Sequence, residues 1–225
     1  KRFLANRSNH GRFGLAVLLK FFLSTGRFPD RQNEVSPRII EVISQQLELP
    51  VDVWKSLNWD GRTVKRMRAE IREWCGFREI TSLDLEGIKR WLIDVAIPQE
   101  HRLERLFEAF LKYCQRLKIE PPAIGQGKRL ILSAIQEHDT RFFAATFTLL
   151  GAMVAGKMDS LLHPFSTDDG ELEWTSWQTL KADPGKAGVA SVKEAASRLA
   201  LVREIGIPAN LFKGVSAKLI EYFAK

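Results

Sequence analysis

The stretch "DGRTVKRMRAEIREWCGFR" (Asp60 to Arg78) predicts an amphipathic helix with a high density of arginine. At about 100° per residue, one narrow arc collects the apolar side chains: Val64, Met67, Ile71, Trp74 and Cys75. Five cations are expected on roughly the opposite side: Arg62, Lys65, Arg66, Arg68 and Arg72. The pattern therefore predicts a helix from Arg62 to Cys75, capped by Asp60 and stopped at Gly76, with one buried face and one basic face.

A helical period continues through almost the whole chain, and no alternating segment of useful length predicts a strand. Further helices are predicted over residues 12–22, 36–49, 51–57, 82–97, 101–119, 128–138, 189–205 and 215–223. The segment "IGQGKR" (124–129) is predicted as a glycine-rich turn, and "FFAATFTLLGAMVAG" (142–156) as a buried helix too short to span a bilayer. The predicted fold class is all-α, with two similar small helical domains followed by a helical extension.

The net charge of +7 is concentrated at one end of the chain. Residues 1–78 contain 15 Lys and Arg against 8 Asp and Glu, whereas residues 79–160 contain 11 of each and residues 161–225 contain 8 of each. We predict a first module over 1–78, a second over 79–160 and a linker with helical connector over 161–225. The charge asymmetry indicates an anion-binding surface in the first module.

The basic helix follows a short predicted helix and a turn, which is helix-turn-helix order. Its N-terminal end is suited to entering the major groove, where arginine reaches guanine edges or phosphates. We predict DNA contacts for all five cations, with Arg62, Lys65, Arg66 and Arg72 at bases or phosphates. Thr63 at the helix start is a candidate phosphate contact, helped by unpaired backbone N–H groups. The alternative is a solvated face on which Arg66 pairs with Glu70 one turn further along.

Other cations extend this candidate surface along the chain. Arg12 at a helix start, Arg27 in a turn and Arg78 after the basic helix are predicted to hold the DNA backbone. Lys128 and Arg129 begin the helix after the glycine-rich segment, where they are candidates for a second DNA-contacting helix. The alternative for this pair is an ordinary solvated position above an apolar core face.

The chain lacks a recognisable catalytic constellation in its sequence. Its four histidines are isolated from one another and from the two cysteines, so we predict no metal site and no cofactor. The sequence contains no G-K-[ST] phosphate loop and no nucleophile motif. The cysteines are predicted to be reduced core residues, and the polar start predicts a cytoplasmic protein.

Two motifs resemble the N-terminal region of transposases of the Tn-three family, which move bacterial transposons replicatively. The first is "GRFGLAVLLKFFLSTGRFP" (Gly11 to Pro29), and the second is "WDGRTVKRMRAEIREWCGFR" (Trp59 to Arg78). The matching residues are Arg12, Gly14, Ala16, Leu19, Lys20, Gly26, Arg27, Phe28, Pro29, Trp59, Gly61, Arg62, Thr63, Arg66, Arg68, Ile71, Arg72, Gly76, Phe77 and Arg78. The segment 180–212 is similar to the connector that follows in this family.

The resemblance implies tandem helical modules of helix-turn-helix type that bind double-stranded DNA at transposon terminal inverted repeats. It also implies that catalysis, with a divalent metal, belongs to a separate C-terminal Asp-Asp-Glu domain for which this chain has no strand-rich segment. The chain is thus expected to have no enzymatic activity of its own and no membrane partner, and the full-length protein is a candidate homodimer. The alternative is a helical protein–protein scaffold whose basic patch meets an acidic partner; an unrecognised helical hydrolase is a third reading.

Overall fold

A computed structural model describes residues 7–163, 176–183 and 185–224. Within these ranges the protein is all-α, with ten α-helices and no β-strand. The helices are α1 (Asn9–Thr25), α2 (Pro37–Leu47), α3 (Asp52–Lys55), α4 (Arg62–Cys75), α5 (Ser82–Trp91), α6 (Leu103–Arg116), α7 (Ile124–Ser160), α8 (Ser176–Lys181), α9 (Val189–Ile205) and α10 (Ala217–Phe223). A 3₁₀ turn (Gln32–Glu34) precedes α2, and a π-helical turn (Leu92–Ala96) extends α5.

The chain forms two compact units, Lys1–Glu137 and His138–Lys225. The first unit contains two hydrophobic clusters. The first hydrophobic cluster is centred on α1, whose Phe13, Leu15, Val17 and Leu18 are fully buried, and α2, α3 and α4 pack against this helix. Removing such large apolar side chains from water is the main favourable contribution to folding, so α1 supplies the surface that orients α4.

The second hydrophobic cluster joins α5, its π-helical turn, α6 and the first part of α7. Leu106 and Phe110 of α6 are fully buried, as are Ile131 and Ala134 of α7. Gly127 lies in the first turns of α7 within van der Waals distance of Phe107 and Phe110, where a Cβ atom would be 3.1 Å from either ring. The absence of a side chain at this position therefore lets α7 approach α6 closely.

The second unit contains the remainder of α7 with α8, α9 and α10. Phe223 of α10 stacks on Phe142 with ring centroids 5.0 Å apart and meets Phe143 edge-on at 4.9 Å. Lys157 Nζ donates a hydrogen bond to the carbonyl oxygen of Glu204 over 2.8 Å. The predicted connector therefore includes ordered helices, while residues 164–175 of the predicted linker lie outside the described residues.

Several local predictions are confirmed. The basic helix runs from Arg62 to Cys75 as expected and ends at Gly76, whose φ of 69° suits glycine. Ser36 is the N-cap residue of α2, although its side chain makes no capping hydrogen bond. The predicted cap at Asp60 is wrong, because Gly61 occupies the N-cap position of α4 and no side chain caps it. Both cysteines are free thiols, but only Cys114 is a core residue, and burial raises its pKa to about 12; Cys75 is half-buried.

Two predictions for residues 124–156 are wrong. The glycine-rich segment is not a turn, because α7 begins at Ile124 and includes both of its glycines. The stretch 142–156 is not a buried helix either, since α7 continues through it to Ser160, with one non-helical residue at Gly151 (φ 73°, ψ 155°). None of residues 142–156 is buried, since the described parts of the second unit cover this apolar surface only in part, at Phe142 and Phe143.

By length and composition, α7 is able to cross a membrane. It is the one helix of this kind among the described residues, and its most apolar window is not buried. A single such helix is weak evidence for a membrane span, because core helices of soluble proteins can pass the same test. The predicted absence of a membrane partner therefore stays a prediction, but it no longer rests on a helix too short to span.

Candidate nucleic-acid interface

The N-terminal half of α4 presents a basic surface to solvent. We call Arg62, Thr63, Lys65 and Arg66 the outward set, because all four are exposed while Val64 and Met67 between and beside them are buried. In the part of the chain that the structure describes, the side chains of Arg62 and Lys65 have no ion-pair partner. The first turn of α4 contains no acidic residue that would neutralise its N-terminus.

Arg66 belongs to the outward set although a carboxylate lies one turn away. Its side chain is 70% exposed, and its Nε lies 3.7 Å from Glu70 Oε1. The other oxygen of Glu70 is bound by Arg7, which forms an ion pair with it. An exposed pair at this distance contributes little, typically about 0.3–0.5 kcal/mol between successive turns of a helix. Arg66 is therefore only weakly held by its own helix.

Arg68 points away from this surface and packs between two aromatic rings. Its guanidinium carbon lies 5.5 Å from the ring centroid of Phe28 and 5.3 Å from that of Trp59. Nη2 donates a 2.8 Å hydrogen bond to the carbonyl oxygen of Pro29. Burial lowers the pKa of Arg68, while the carboxylates of Glu120 and Asp30 act in the opposite direction. These contacts tie α4 to the loop after α1.

Arg72 is bound by two carboxylates of its own chain. Nη1 donates a 2.6 Å hydrogen bond to Glu120 Oε2, and Nη2 forms an ion pair with Glu79. The side chains of Arg72 and Glu120 are only 15% and 19% exposed. Burial raises the pKa of Glu120, and the adjacent guanidinium groups of Arg72 and Arg68 counteract that rise. Arg72 thus compensates a carboxylate that would otherwise be poorly solvated.

Arg27 and Arg78 are also paired within the chain. Arg27 forms an ion pair with Glu34 and donates a 2.9 Å hydrogen bond to the carbonyl oxygen of Phe28. Arg78 makes a bidentate contact with Asp84, at 2.5 and 2.7 Å, where Asp84 also belongs to the capping box of α5. We call Arg27, Arg68, Arg72 and Arg78 the engaged arginines.

The remaining predicted residues occupy intermediate or open positions. Arg12 is half-buried near the start of α1, whereas Lys128 and Arg129 are exposed in the second turn of α7. The structure thus brings the outward set together on one helix and places Lys128 and Arg129 on another. The contacts with DNA that the sequence predicted for all eleven residues stay predictions.

The helical wheel accounts for the separation of the α4 cations into two groups. At about 100° per residue, Arg68 and Arg72 lie about 40° and 80° from Val64, on the flank of the buried arc. Arg62 and Arg66 lie about 160° from it, near the centre of the solvent side. The expectation that all five cations lie opposite the core is thus too simple. Trp74, expected in the core, is 57% exposed.

The acidic residues that hold the engaged arginines or join the two hydrophobic clusters were missed by sequence reasoning. Asp30 is the clearest case: its Oδ2 accepts a 3.0 Å hydrogen bond from the backbone N–H of Ile124 at the start of α7, and its carbonyl oxygen accepts one from Trp59 Nε1 at 3.3 Å. Glu34 and Glu120 were missed as well. Their only local signal is charge opposite to arginine, and Asp30 lies 94 positions from Ile124, so the pairing depends on the tertiary fold.

These contacts join the two motifs in space. The loop formed by Phe28 and Pro29 at the end of the first motif, with Asp30 directly after it, contacts Trp59 and Arg68 from the second. Much of each motif therefore maintains one junction between α1 and α4. The outward set lies in the second motif but outside this junction, with its side chains exposed.

The start of α4 is basic, exposed and without a side-chain cap, and it is held by a packed group of helices. The protein is therefore a helical domain with a candidate anion-binding surface. The chain belongs to the family described as a domain of unknown function, DUF4158, whose pattern it matches over residues 2–134. That range includes both hydrophobic clusters of the first unit.

Two curated relatives are transposases from Escherichia coli. The chain is 23% identical over 209 residues to the transposase for transposon Tn3926; this aligned region covers 93% of this chain and 21% of that protein. It is 23% identical over 206 residues to the transposase for transposon Tn2501, covering 90% of this chain and 20% of the relative. The chain therefore spans about a fifth of the length of these relatives. The predicted resemblance to the N-terminal part of Tn-three-family transposases is confirmed as a distant similarity.

Proposed function

We propose that this chain is the DNA-recognition part of a transposase and binds double-stranded DNA at the terminal inverted repeats of a transposon. The observation that carries the proposal is the outward set, three exposed cations with Thr63 between them on the N-terminal half of a helix packed against α1. In this proposal α3 and α4 act as a helix-turn-helix, with α4 entering the major groove. The similarity of this chain to a segment of two transposases supports a role in DNA transposition.

The two groups of cations have different roles in this mechanism. Arg62 and Arg66 point toward the bases or phosphates, with Thr63 and Lys65 beside them for backbone contacts. Arg68 holds α4 against the loop after α1, and Arg72 holds it against Glu120 beside the second hydrophobic cluster, so that the outward set is oriented before DNA arrives. Such preorganisation reduces the ordering cost of binding. Arg12, Lys128 and Arg129 are proposed to contact the backbone beside the α4 site.

Cleavage and strand transfer are assigned in this proposal to a part of the transposase outside the matched segment. The chain aligns with about a fifth of each relative, which is consistent with a separate catalytic domain. The protein is proposed to act on DNA in the cytoplasm of a bacterium, with the homodimer formed in the full-length transposase.

The test is fluorescence anisotropy of this chain on two labelled duplexes: the terminal inverted repeat of its element and a shuffled duplex of equal composition. Titrations at several salt concentrations are required, because phosphate contacts make affinity strongly dependent on salt. We expect a preference for the repeat that persists at physiological salt. Equal and salt-sensitive binding to both duplexes would contradict sequence recognition. It would favour the alternative function, a scaffold whose basic patch meets an acidic partner.

A further inference from the structure

The two hydrophobic clusters of the first unit are joined by backbone hydrogen bonds. The N–H of Arg78 donates to the carbonyl oxygen of Lys118 over 2.9 Å, and the N–H of Glu120 donates to the carbonyl oxygen of Arg78 over 2.8 Å. These residues form an isolated parallel bridge between Arg78 and Ile119. The chain just after α4 is therefore attached to the chain just after α6.

Side chains reinforce the same junction from both clusters. Arg72 of α4 binds Glu120 over 2.6 Å, and Asp30 of the first cluster accepts the backbone hydrogen bond from Ile124 at the start of α7. A carboxylate at a helix N-terminus is favoured by the helix dipole. The start of α7 is therefore capped by a residue from the loop that also anchors α4.

This junction places α4 and the start of α7 on two sides of one polar cleft of about 390 Å³. Lys65, Arg68 and Arg72 line it from α4, and Gln126 lines it from α7. Arg129 is exposed and lies one turn after Gln126, about 60° from it around the helix. Lys65 of the outward set and the start of α7 thus line one cleft within a single compact unit.

We propose that Asp30, Arg72 and Glu120 are positioning residues that set one fixed offset between α4 and the start of α7, so that these two segments contact a continuous duplex at a single spacing. This inference rests on the proposed DNA binding. Inserting one base pair between two contacts shifts the distal contact by about 3.4 Å and rotates it by about 35°. A junction held by two backbone hydrogen bonds, an ion pair and a helix cap cannot follow such a displacement without breaking contacts.

The experiment is a spacing series. One base pair is inserted at successive positions through the repeat, and the affinity of the 225-residue chain for each duplex is measured by anisotropy at fixed salt. We expect an internal window of positions at which one insertion weakens binding about tenfold, with little effect outside that window. A smooth, position-independent response by a chain that still prefers the repeat would overturn the fixed offset while leaving the proposed function intact. No preference for the uninterrupted repeat over its shuffled control would overturn both.

The variant Asp30→Ala/Glu120→Gln then tests the residues themselves. A loosened junction should reduce the tenfold insertion penalty to less than about threefold, whereas loss of stability alone would lower the affinity for every duplex equally. Glu108→Gln, which removes a carboxylate from an exposed pair with Arg105 on α6, is the matched control and should keep the tenfold penalty. The single variant Glu120→Gln is the milder form if the double variant does not fold by circular dichroism. An unchanged insertion penalty in a folded variant would overturn the assignment.

Discussion

Arginine lies on two sides of α4, exposed to solvent on one side and bound to other residues of the chain on the other. On the solvent side, Arg62 and Arg66 extend into water with little to hold them. On the flank toward the second cluster, Arg68 packs between two rings and Arg72 binds two carboxylates. Arginine content alone therefore does not identify a DNA-binding face. The position of each arginine relative to the buried arc separates candidate DNA contacts from residues that maintain the fold.

The largest expected effect separates the buried face of α4 from its exposed face. Ile71 is fully buried in the first cluster, so Ile71→Ala should lower the free energy of unfolding by about 2–5 kcal/mol through lost burial and a residual cavity. Trp74→Ala, on the same helix at a position 57% exposed, is the control and should cost distinctly less despite the larger side chain. Chemical denaturation of both variants measures the difference. Equal losses would mean that Trp74 is covered in solution.

The next effect separates an engaged arginine from an outward one. Arg72→Ala leaves Glu120 without its 2.6 Å partner in a buried position, which should cost on the order of 2 kcal/mol in unfolding free energy. The control is Arg66→Ala, six residues earlier on the same helix. It removes only the weak contact of Arg66 Nε with Glu70 Oε1 at 3.7 Å and should change the unfolding free energy by less than about 0.5 kcal/mol. Thermal and urea denaturation report both. A stability loss in Arg66→Ala as large as that in Arg72→Ala would remove the distinction.

A smaller effect concerns the ion pair between Arg27 and Glu34. Burial would raise the pKa of Glu34, but the hydrogen bonds from Arg27 and from backbone N–H groups hold it below its ordinary value of 4.5. A carboxyl group with a lowered pKa in the folded state stabilises the fold above its unfolded pKa, and that stability is lost as the pH falls through the folded pKa. Glu34→Gln should therefore be less stable than wild type at pH 7, by about 0.5 kcal/mol.

The same variant should lose less stability than wild type when the pH is lowered from 5 to 3, as measured by urea denaturation at each pH. Asp52→Asn is the control, since Asp52 forms an exposed pair with Lys55 and its side chain is 82% exposed. Parallel acid profiles for wild type and Glu34→Gln would show that this pair does not contribute to the stability of the fold.

The smallest expected effect on stability is at Lys128 and Arg129. Because both are exposed, Lys128→Ala/Arg129→Ala should change the free energy of unfolding by less than about 0.5 kcal/mol. On the repeat, the slope of log affinity against log salt should become shallower by about 1 for each phosphate contact removed. Lys112→Ala on α6 is exposed as well and should leave the slope unchanged. An unchanged slope in the double variant would mean that Lys128 and Arg129 make no phosphate contact.

The sequence predicted local structure better than it predicted pairing. The α4 bounds followed from periodicity and Gly76, because these signals are local and strong. The exposure of residues 142–156 in α7 could not be predicted in this way, because a uniformly apolar stretch has no periodic face that separates a buried side from an exposed one. At the candidate site, the exposed positions of Arg62 and Arg66 followed from the helical wheel. The partner of Arg72 could not be predicted from the wheel, because Glu120 is brought to Arg72 only by the junction between the two clusters.

The measurement that tests the central claim most directly is the affinity of Arg62→Ala/Arg66→Ala for the repeat and the shuffled duplex, compared with wild type. The control is Arg102→Ala/Arg105→Ala, which removes the same charge from exposed positions of the second cluster. If the outward set reads DNA, the first variant should lose about 1–3 kcal/mol of binding free energy for each base contact, and its preference for the repeat should shrink. Binding of the repeat with wild-type affinity and preference by the folded variant would contradict the claim.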